Sequence, residues 1–273
     1  MRGTDLADAF STSHADDLAL LLDAAKQAGE IAMGFFRRDP KVWYKHGNSP
    51  VSEADFAADR CLKELLIGAR PGYGWVSEEM KASERTAASL QRVFVVDPID
   101  GTRAFLRGED VWCVSVAVLE AGLPVAGAIT VPARGETFEA TLDGPALLNG
   151  EPCSVASIDE AASLRLSLPE SIAARIAPED RRSVDALPAI PSLAYRLALV
   201  ACGRLDGTLV RPRANDWDVA AADLVLQRAG GVFCDVDGGR WRYGPEAGER
   251  GIMIAGPLGV APRLRDIARN LAT

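Results

Sequence analysis

The cysteines show no pairing pattern. Among 273 residues there are five (Cys61, Cys113, Cys153, Cys202 and Cys234), an odd number, far apart and with no C-x-x-C. That spacing speaks against a disulfide framework or a zinc site and for free thiols in a reducing compartment, here the cytoplasm. Positive charge is also scarce. Lys and Arg number 30 against 38 Asp and Glu, a net charge of -8, which excludes a broad basic surface for a nucleic-acid polymer. An acidic protein still holds an anion where bound cations supply the charge. No apolar run reaches the ~18 residues of a membrane span. The start of the chain, with Asp5, Asp8, Asp16 and Asp17, lacks the basic-then-apolar order of a signal peptide. Internal repeats, low-complexity segments and long polar linkers are missing too, so one compact unit is expected.

What is present is ordinary for a globular domain: 48% hydrophobic and 25% charged residues. Residues 1–14 read as a loose lead-in. Leu18, Leu21, Leu22, Ala25, Ala28, Ala32, Phe35 and Phe36 recur at helical spacing between Asp16 and Arg38. A second helix is expected from Ser52 through Cys61, Leu62, Leu65 and Leu66, ended by Pro71-Gly72. Strand-like runs follow at Val93–Val96, Val111–Leu119, Val125–Val131 and Thr137–Leu142, and their short links imply antiparallel neighbours. The pattern then alternates: a strand at Leu164–Leu168, a helix near Ser171–Ile176, a link with Pro188 and Pro191, and a helix from Ser192 to Cys202 capped by Gly203. Strand Thr208–Val210, helix Trp217–Ala229, strands Val232–Cys234 and Ile252–Ala255 and a last helix complete it. The chain thus divides into an α+β half over 1–150 and an α/β half over 151–273.

The most informative stretch follows the buried run Val93–Val96. Asp97-Pro98-Ile99-Asp100-Gly101-Thr102 brings two carboxylates, a hydroxyl and exposed amides to one strand end. Hard oxygen ligands beside amide donors suit a divalent cation holding a phosphate, and the chemistry expected is metal-assisted attack of water on phosphorus. A strict strand would send Asp97 and Asp100 to opposite faces; Pro98 and Gly101 break that regularity. Taken alone the stretch also reads as a turn with capping aspartates. Phosphatases of the haloacid-dehalogenase type carry D-x-D-G-T. Here the second Asp is one residue later, which disfavours a covalent aspartyl-phosphate route. Two further acidic spots have similar context. Ser77-Glu78-Glu79 follows Gly74-Trp75-Val76, and Asn215-Asp216-Trp217-Asp218 opens a helix ending at Ala229-Gly230-Gly231. Their bland readings are a solvated surface and a helix cap.

Taken together the motifs resemble those of the inositol monophosphatase-like family of metal-dependent, lithium-sensitive phosphatases. Asp97-Pro-Ile-Asp-Gly-Thr102 resembles its central signature and Trp217-Asp218-Val-Ala-Ala-Ala its C-terminal one. Ser77-Glu78-Glu79 is similar to its metal-binding Glu motif, and Ser49-Pro50-Val51-Ser52-Glu53-Ala54-Asp55 to its segment near the nucleophilic water. The resemblance covers roughly residues 18–256 and implies a layered α-β-α-β-α sandwich. It implies Mg²⁺ ligation by Glu78, Asp97, the Ile99 carbonyl, Asp100 and Asp218, with two ions and room for a third, weaker one near Glu78. Two ions also make electrostatic sense, since about four clustered carboxylates would otherwise repel one another. Thr102 and Asp55 are implied as the pair that orients and deprotonates water, with Glu78 beside them. Ser52-x-x-Asp55 is also a helix-start box, and the two roles are compatible. The amides of Gly101 and Thr102 would hold phosphate oxygens, Asp218 would face the substrate, and Lys45 stands where the family often has a Lys, a plain surface lysine being the alternative.

The substrate is less legible. Inositol phosphatases of this family show G-T-x-N-F, whereas this chain has Gly101-Thr102-Arg103-Ala104-Phe105. Their acidic residue before Trp-Asp gives way to Arg211-Pro212-Arg213, and a guanidinium suits a second phosphate better than a sugar hydroxyl. Ser192-Leu-Ala-Tyr-Arg196 with Val200-Ala201-Cys202-Gly203 resembles a helix of the adenosine 3',5'-bisphosphate nucleotidases, although their G-P-T is absent. The alternative is that Arg196, Arg211 and Arg213 form surface ion pairs. The expected activity is therefore a Mg²⁺-dependent phosphomonoesterase favouring adenosine 3'(2'),5'-bisphosphate. The enzyme alternative is a phosphatase of inositol 1-phosphate or another sugar or polyol phosphate. The alternative from another class is a non-catalytic metal- or phosphate-binding regulator. The expected partner is a small phosphate ester, with no nucleic-acid polymer and no membrane, and a homodimer is compatible with this reading.

Overall fold

The computed structural model describes residues 13–45, 49–80, 91–212, 214–244 and 251–272; of the lead-in read over 1–14, residues 1–12 lie outside them. Helix α1 (His14–Phe35) starts at a reciprocal box in which Ser13 and Asp16 bond each other's backbone. Its apolar stripe is small: Leu21, Ala24, Ala25, Ala28 and Ala32 are all fully buried. Small residues let the helix lie close to its neighbours, and at Gly29 a Cβ would stand 2.8 Å from Pro132 Cγ. A hairpin, β1 (Val42–Lys45) and β2 (Ser49–Ser52), leads into α2 (Glu53–Ala69). Leu62 and Leu66 of α2 pack with α1 against Phe94, Val96, Val116 and Ala128. Truncating one of these leucines to Ala would cost about 2–5 kcal/mol.

These two helices cover one face of a sheet ordered β3 (Gly74–Ser77), β4 (Arg92–Asp100), β5 (Cys113–Glu120), β6 (Leu123–Val131), β7 (Glu136–Thr141), β8 (Leu147–Leu148) and β9 (Glu151–Pro152). Strand β3 is parallel to β4; every later pair is antiparallel, as the short links require. The strongly paired strands are buried along nearly their whole length, because helices lie on both faces. The short helix α3 (Thr102–Leu106) leaves the end of β4.

Beyond β9, strand β10 (Leu164–Ser167) pairs in parallel with β11 (Val184–Leu187), with the single-turn helix α4 (Glu170–Ala173) between them. Helix α5 (Leu193–Ala201) ends beside Gly203, at φ +73°, the left-handed residue a C-terminal cap needs. A second sheet has the order β12 (Thr208–Val210), β14 (Met253–Pro257), β13 (Gly231–Asp235), all antiparallel. Helix α6 (Asp216–Arg228) lies between the sheets and touches β4, β5 and β6 on one side and β13 on the other. Its approach to the large sheet is as close as atoms allow: a Cβ on Gly127 would meet Ala221 Cα at 3.0 Å. Helix α7 (Ala261–Ala272) covers β14 from outside. Five layers result, α1/α2, large sheet, α5/α6, small sheet, α7, which is the expected α-β-α-β-α sandwich. No helix among the described residues is long and apolar enough to cross a membrane, and all five cysteines are free.

Candidate active site

The strand end at Asp97 carries a register shift. Asp97 pairs with Ser115, but Asp100 pairs with Cys113, so three steps on β4 answer two on β5. One residue is inserted, which is a β-bulge. Residues an odd number apart on a regular strand face opposite ways; the extra residue restores a common face. The bulge is what brings Asp97 and Asp100 together. Asp218 arrives from the first turn of α6, whose tight seat on Gly127 puts its N-terminus over the same strand ends. Ser115, the partner of Asp97, donates to the Trp217 carbonyl at 3.4 Å.

Carboxylate oxygens of Asp97, Asp100 and Asp218 lie within 4.8 Å of one another. Each is held by the backbone through one oxygen. Asp97 Oδ1 accepts from the Ile99 amide (3.1 Å), Asp100 Oδ2 from Ser192 Oγ and the Ala194 amide (both 2.6 Å), and Asp218 Oδ2 from the Asn215 amide (2.7 Å). The charges are under strain in this arrangement. Burial, then Glu78, Asp100 and Asp218, hold Asp97 well above the usual carboxylate range. Burial and the Asp100 charge push Asp218 up to about 8. Burial raises Asp100 to about 6, against the hydrogen bonds from Ser192 and α5 that favour its anion. Three fixed carboxylates, each with an oxygen not engaged by its backbone tether and each disfavoured as an anion, form a donor set that fits a hard divalent cation such as Mg²⁺.

Asp55 is buried at the start of α2. Its Oδ2 accepts from the Ser52 amide (2.8 Å) and hydroxyl (2.6 Å), which is the helix-start box, while its Oδ1 faces Thr102 Oγ1 at 3.2 Å. Both anticipated roles are therefore geometrically available at once. Burial pushes Asp55 up to about 6. Thr102 Oγ1 also stands 3.1 Å from the Ile99 carbonyl. Gly101 precedes it at φ +93°, and a Cβ there would meet Ser192 Cβ at 3.1 Å. Two separate constraints, the left-handed backbone and the close approach, select glycine.

Glu78 lines the same cleft but stands outside the tight trio. Lys45, anticipated against the substrate, instead lies between two carboxylates, 3.2 Å from Glu78 Oε1 and 2.7 Å from Glu79 Oε1. The attraction of two adjacent glutamates explains its direction. Glu79 is nearly fully buried, its Oε2 has no partner, and burial, opposed by Lys45, pushes it up to about 7. Below, Asp59, one turn after Asp55 on α2, accepts from the Ser77 hydroxyl and ties β3 to that helix.

The cleft has a volume of about 840 Å³, and beside the carboxylates it presents a basic and apolar wall: Arg196, Arg211, Ile190, Pro191 and Val210. Arg196 does not form the surface ion pair held open as its alternative. It is 5% exposed, donates through Nη1 to the Ile190 carbonyl (3.2 Å), and its Nε has no partner among the described residues. Burial lowers it to about 10 although Asp100 favours its cation. Arg211 is exposed on the same wall. Arg213 lies outside the described residues.

Sequence reasoning did not find Ser192 or the Ala194 amide as partners of Asp100, nor Asp216. Asp216 accepts from Trp241 Nε1 (3.1 Å) and the Gly244 amide (2.8 Å), tying that segment to the start of α6. The S-x-x helix start at Ser192 was visible; its partner across the fold was not. The hairpin β1–β2 and strands β8, β9 and β11 also went unread, being only two to four residues long. The helix near Ser171–Ile176 shrinks to one turn.

With this geometry in hand, similarity to known proteins becomes informative. Residues 15–267 match the model of the inositol monophosphatase family. A histidinol-phosphatase of Chlorobaculum parvum is 31% identical over 229 residues, covering 81% of this chain and 86% of that one. An inositol-1-monophosphatase of Mesorhizobium japonicum is 32% identical over 240 residues, covering 82% and 86%. The crystal structure of the extragenic suppressor protein suhB from Bartonella henselae superposes with a TM-score of 0.83 at 28% identity, over 93% of this chain and 98% of that one.

Proposed function

From the premise that the chain belongs to the inositol monophosphatase family, whose members are phosphatases of small phosphate esters, we propose that it is a Mg²⁺-dependent phosphomonoesterase favouring adenosine 3'(2'),5'-bisphosphate. The observation that carries the reaction class is the convergence of Asp97, Asp100 and Asp218 within 4.8 Å in the cleft that Thr102 also lines. Asp97, Asp100 and Asp218 would hold Mg²⁺, and Glu78 and the Ile99 carbonyl would complete the ligands. The cation supplies positive charge that neutralises phosphate and lowers the pKa of a bound water.

The chain's own residues then handle the proton. Ser52 occupies one oxygen of Asp55 and leaves the other for Thr102. When the Thr102 hydroxyl donates to Asp55, its lone pairs accept from the attacking water and orient it. As the water oxygen bonds to phosphorus, its proton passes to Thr102 Oγ1 and the Thr102 proton to Asp55 Oδ1. A carboxylate raised to about 6 suits a general base near neutral pH. The ester oxygen leaves and is protonated by solvent. The amides of Gly101 and Thr102 hold phosphate oxygens.

Arg196 and Arg211 support the substrate assignment. Both guanidinium groups line the same cleft as the carboxylates, and Arg196 Nε is buried without a partner among the described residues; a second phosphate there would form charge-assisted bonds. A cleft of about 840 Å³ is roomy for a polyol phosphate and accommodates a nucleotide. The relatives named for inositol phosphate and histidinol phosphate favour a second reading, a phosphatase of a polyol or amino-alcohol phosphate. Phosphate release from adenosine 3',5'-bisphosphate, inositol 1-phosphate and histidinol phosphate, with Mg²⁺ and with a chelator, separates the readings. Turnover of none of them with Mg²⁺ would sink the enzyme reading; preference for a monophosphate would leave the metal chemistry and remove the bisphosphate. Li⁺ is expected to inhibit.

A further inference from the structure

The strongest tie on Asp100 comes from 92 residues away. Ser192 Oγ and the Ala194 amide both stand 2.6 Å from Asp100 Oδ2, at the short end that charge-assisted bonds reach. Ser192 is fully buried. Its hydroxyl has one proton, given to Asp100, and a lone pair that accepts from the Tyr195 amide at 3.1 Å. The backbone of Ser192 stands 3.3 Å from where a Cβ on Gly101 would be, so the start of α5 packs directly on the turn that carries Asp100.

We propose that Ser192 is a positioning residue for the metal centre: with the Ala194 amide it engages one oxygen of Asp100 and leaves the other for the cation. The inference rests on Asp100 being a ligand, as proposed above. Outer-sphere hydrogen bonds of this kind orient ligands, and their loss commonly weakens metal binding about 10- to 100-fold. The competing role is purely structural, the N-cap of α5.

Three variants separate the roles. Ser192→Ala loses both the bond to Asp100 and the cap. Ser192→Gly loses the bond, but glycine serves as an N-cap nearly as well as serine. Ser192→Thr keeps both. The readouts are the Mg²⁺ dissociation constant by calorimetry on the full chain, the thermal midpoint in chelator, and kcat and KM at saturating Mg²⁺. We expect Ala and Gly to weaken Mg²⁺ equally, by about 10- to 100-fold, although their thermal midpoints differ, and Thr to bind as wild type. KM for the ester at saturating Mg²⁺ should stay within about twofold. Wild-type Mg²⁺ affinity in Ser192→Gly, or weakening that tracks the loss of thermal midpoint, would overturn the proposal. Should Ser192→Ala fail to fold, the Gly and Thr variants decide the matter. A wild-type chain that binds no Mg²⁺ would instead overturn the metal reading beneath it, and this inference with it.

Discussion

The two walls of the cleft are built in opposite ways. On the acidic wall, Asp97 and Asp218 are held by amides two or three residues away, and Asp55 by Ser52 at the same spacing. Each of these three is oriented within its own motif, and Asp100 is tied across the fold, by Ser192 and the Ala194 amide. On the basic wall, Arg196 rises from the middle of α5 and is placed by burial, with one bond to the Ile190 carbonyl and an Nε left over. Locally tethered groups are pre-organised to hold a cation. A buried guanidinium with an unmet donor is poised for an anion. The acidic wall should therefore govern rate and the basic wall choice of ester.

The sharpest way to break that division is to neutralise the acidic wall. Asp97→Asn and Asp218→Asn should each lower turnover by about three orders of magnitude or more, since the cation's contribution is several kcal/mol. In chelator, Asp218→Asn should raise the thermal midpoint only above about pH 8, where the wild-type carboxyl would ionise and its buried charge would repel Asp100. A variant with near-wild-type kcat at saturating Mg²⁺ would remove that residue from the ligands.

Thr102→Ala should cost about 10²- to 10⁴-fold in kcat and leave the Mg²⁺ dissociation constant unchanged, because the hydroxyl faces Asp55 and Ile99. Loss of Mg²⁺ affinity in calorimetry would instead assign the hydroxyl to the metal.

On the basic wall, Arg211→Ala and Arg196→Met should lower kcat/KM for adenosine 3',5'-bisphosphate by about 10- to 150-fold, equivalent to about 1.5–3 kcal/mol for a bond to a charged group. The loss should lie in KM, since the distal phosphate does not change charge during the reaction. Inositol 1-phosphate should be unaffected. Arg196→Met should also raise the thermal midpoint of the ligand-free protein by removing an orphaned buried donor. Equal losses on both esters would place these arginines at the reacting phosphate rather than at a second one.

The same contrast explains what the sequence disclosed. Asp97, Asp218 and Asp55 stood in readable local motifs because their tethers lie within three residues, whereas Asp100 and Thr102, whose partners Ser192 and Asp55 are far along the chain, were marked by the shared motif and by the family resemblance. Even the bulge that unites Asp97 and Asp100 was signalled by Pro98 and Gly101. Apolar runs and helical spacing marked most helices and strands and the α+β and α/β halves; the five layers were what the family resemblance implied. Ser192, Asp216 and Glu79 were not legible as partners, because what they touch is set by packing across α5, α6 and the hairpin. Lys45 shows the same limit. Its position near the site was readable, but its capture by Glu78 and Glu79 depends on how β1–β2 sits on β3.

The smallest expected effect is a pH dependence to which the acidic wall contributes, with Glu79 and Asp223, raised by burial to about 7 and about 6, adding to it with the same sign. Asp100 and Asp55 are raised to about 6 and Asp218 to about 8, from 3.8. Between those values the folded protein binds more protons than the unfolded chain, so stability falls as pH rises. Ordinary surface carboxylates have largely finished titrating by about pH 5. In chelator, the thermal midpoint should therefore fall by several degrees between about pH 5 and 8, at about 2–4 °C per kcal/mol for a chain near this size. Mg²⁺ binds the ionised carboxylates and releases protons, so its protection should grow over the same range and flatten or reverse the slope. Asp218→Asn removes the carboxyl raised to about 8 and should reduce the slope in chelator, whereas Arg211→Ala should leave it as in wild type. A midpoint that rises with pH in chelator, parallel to that in Mg²⁺, would mean the carboxylates are not held protonated by burial. The cation would then be relieving no repulsion.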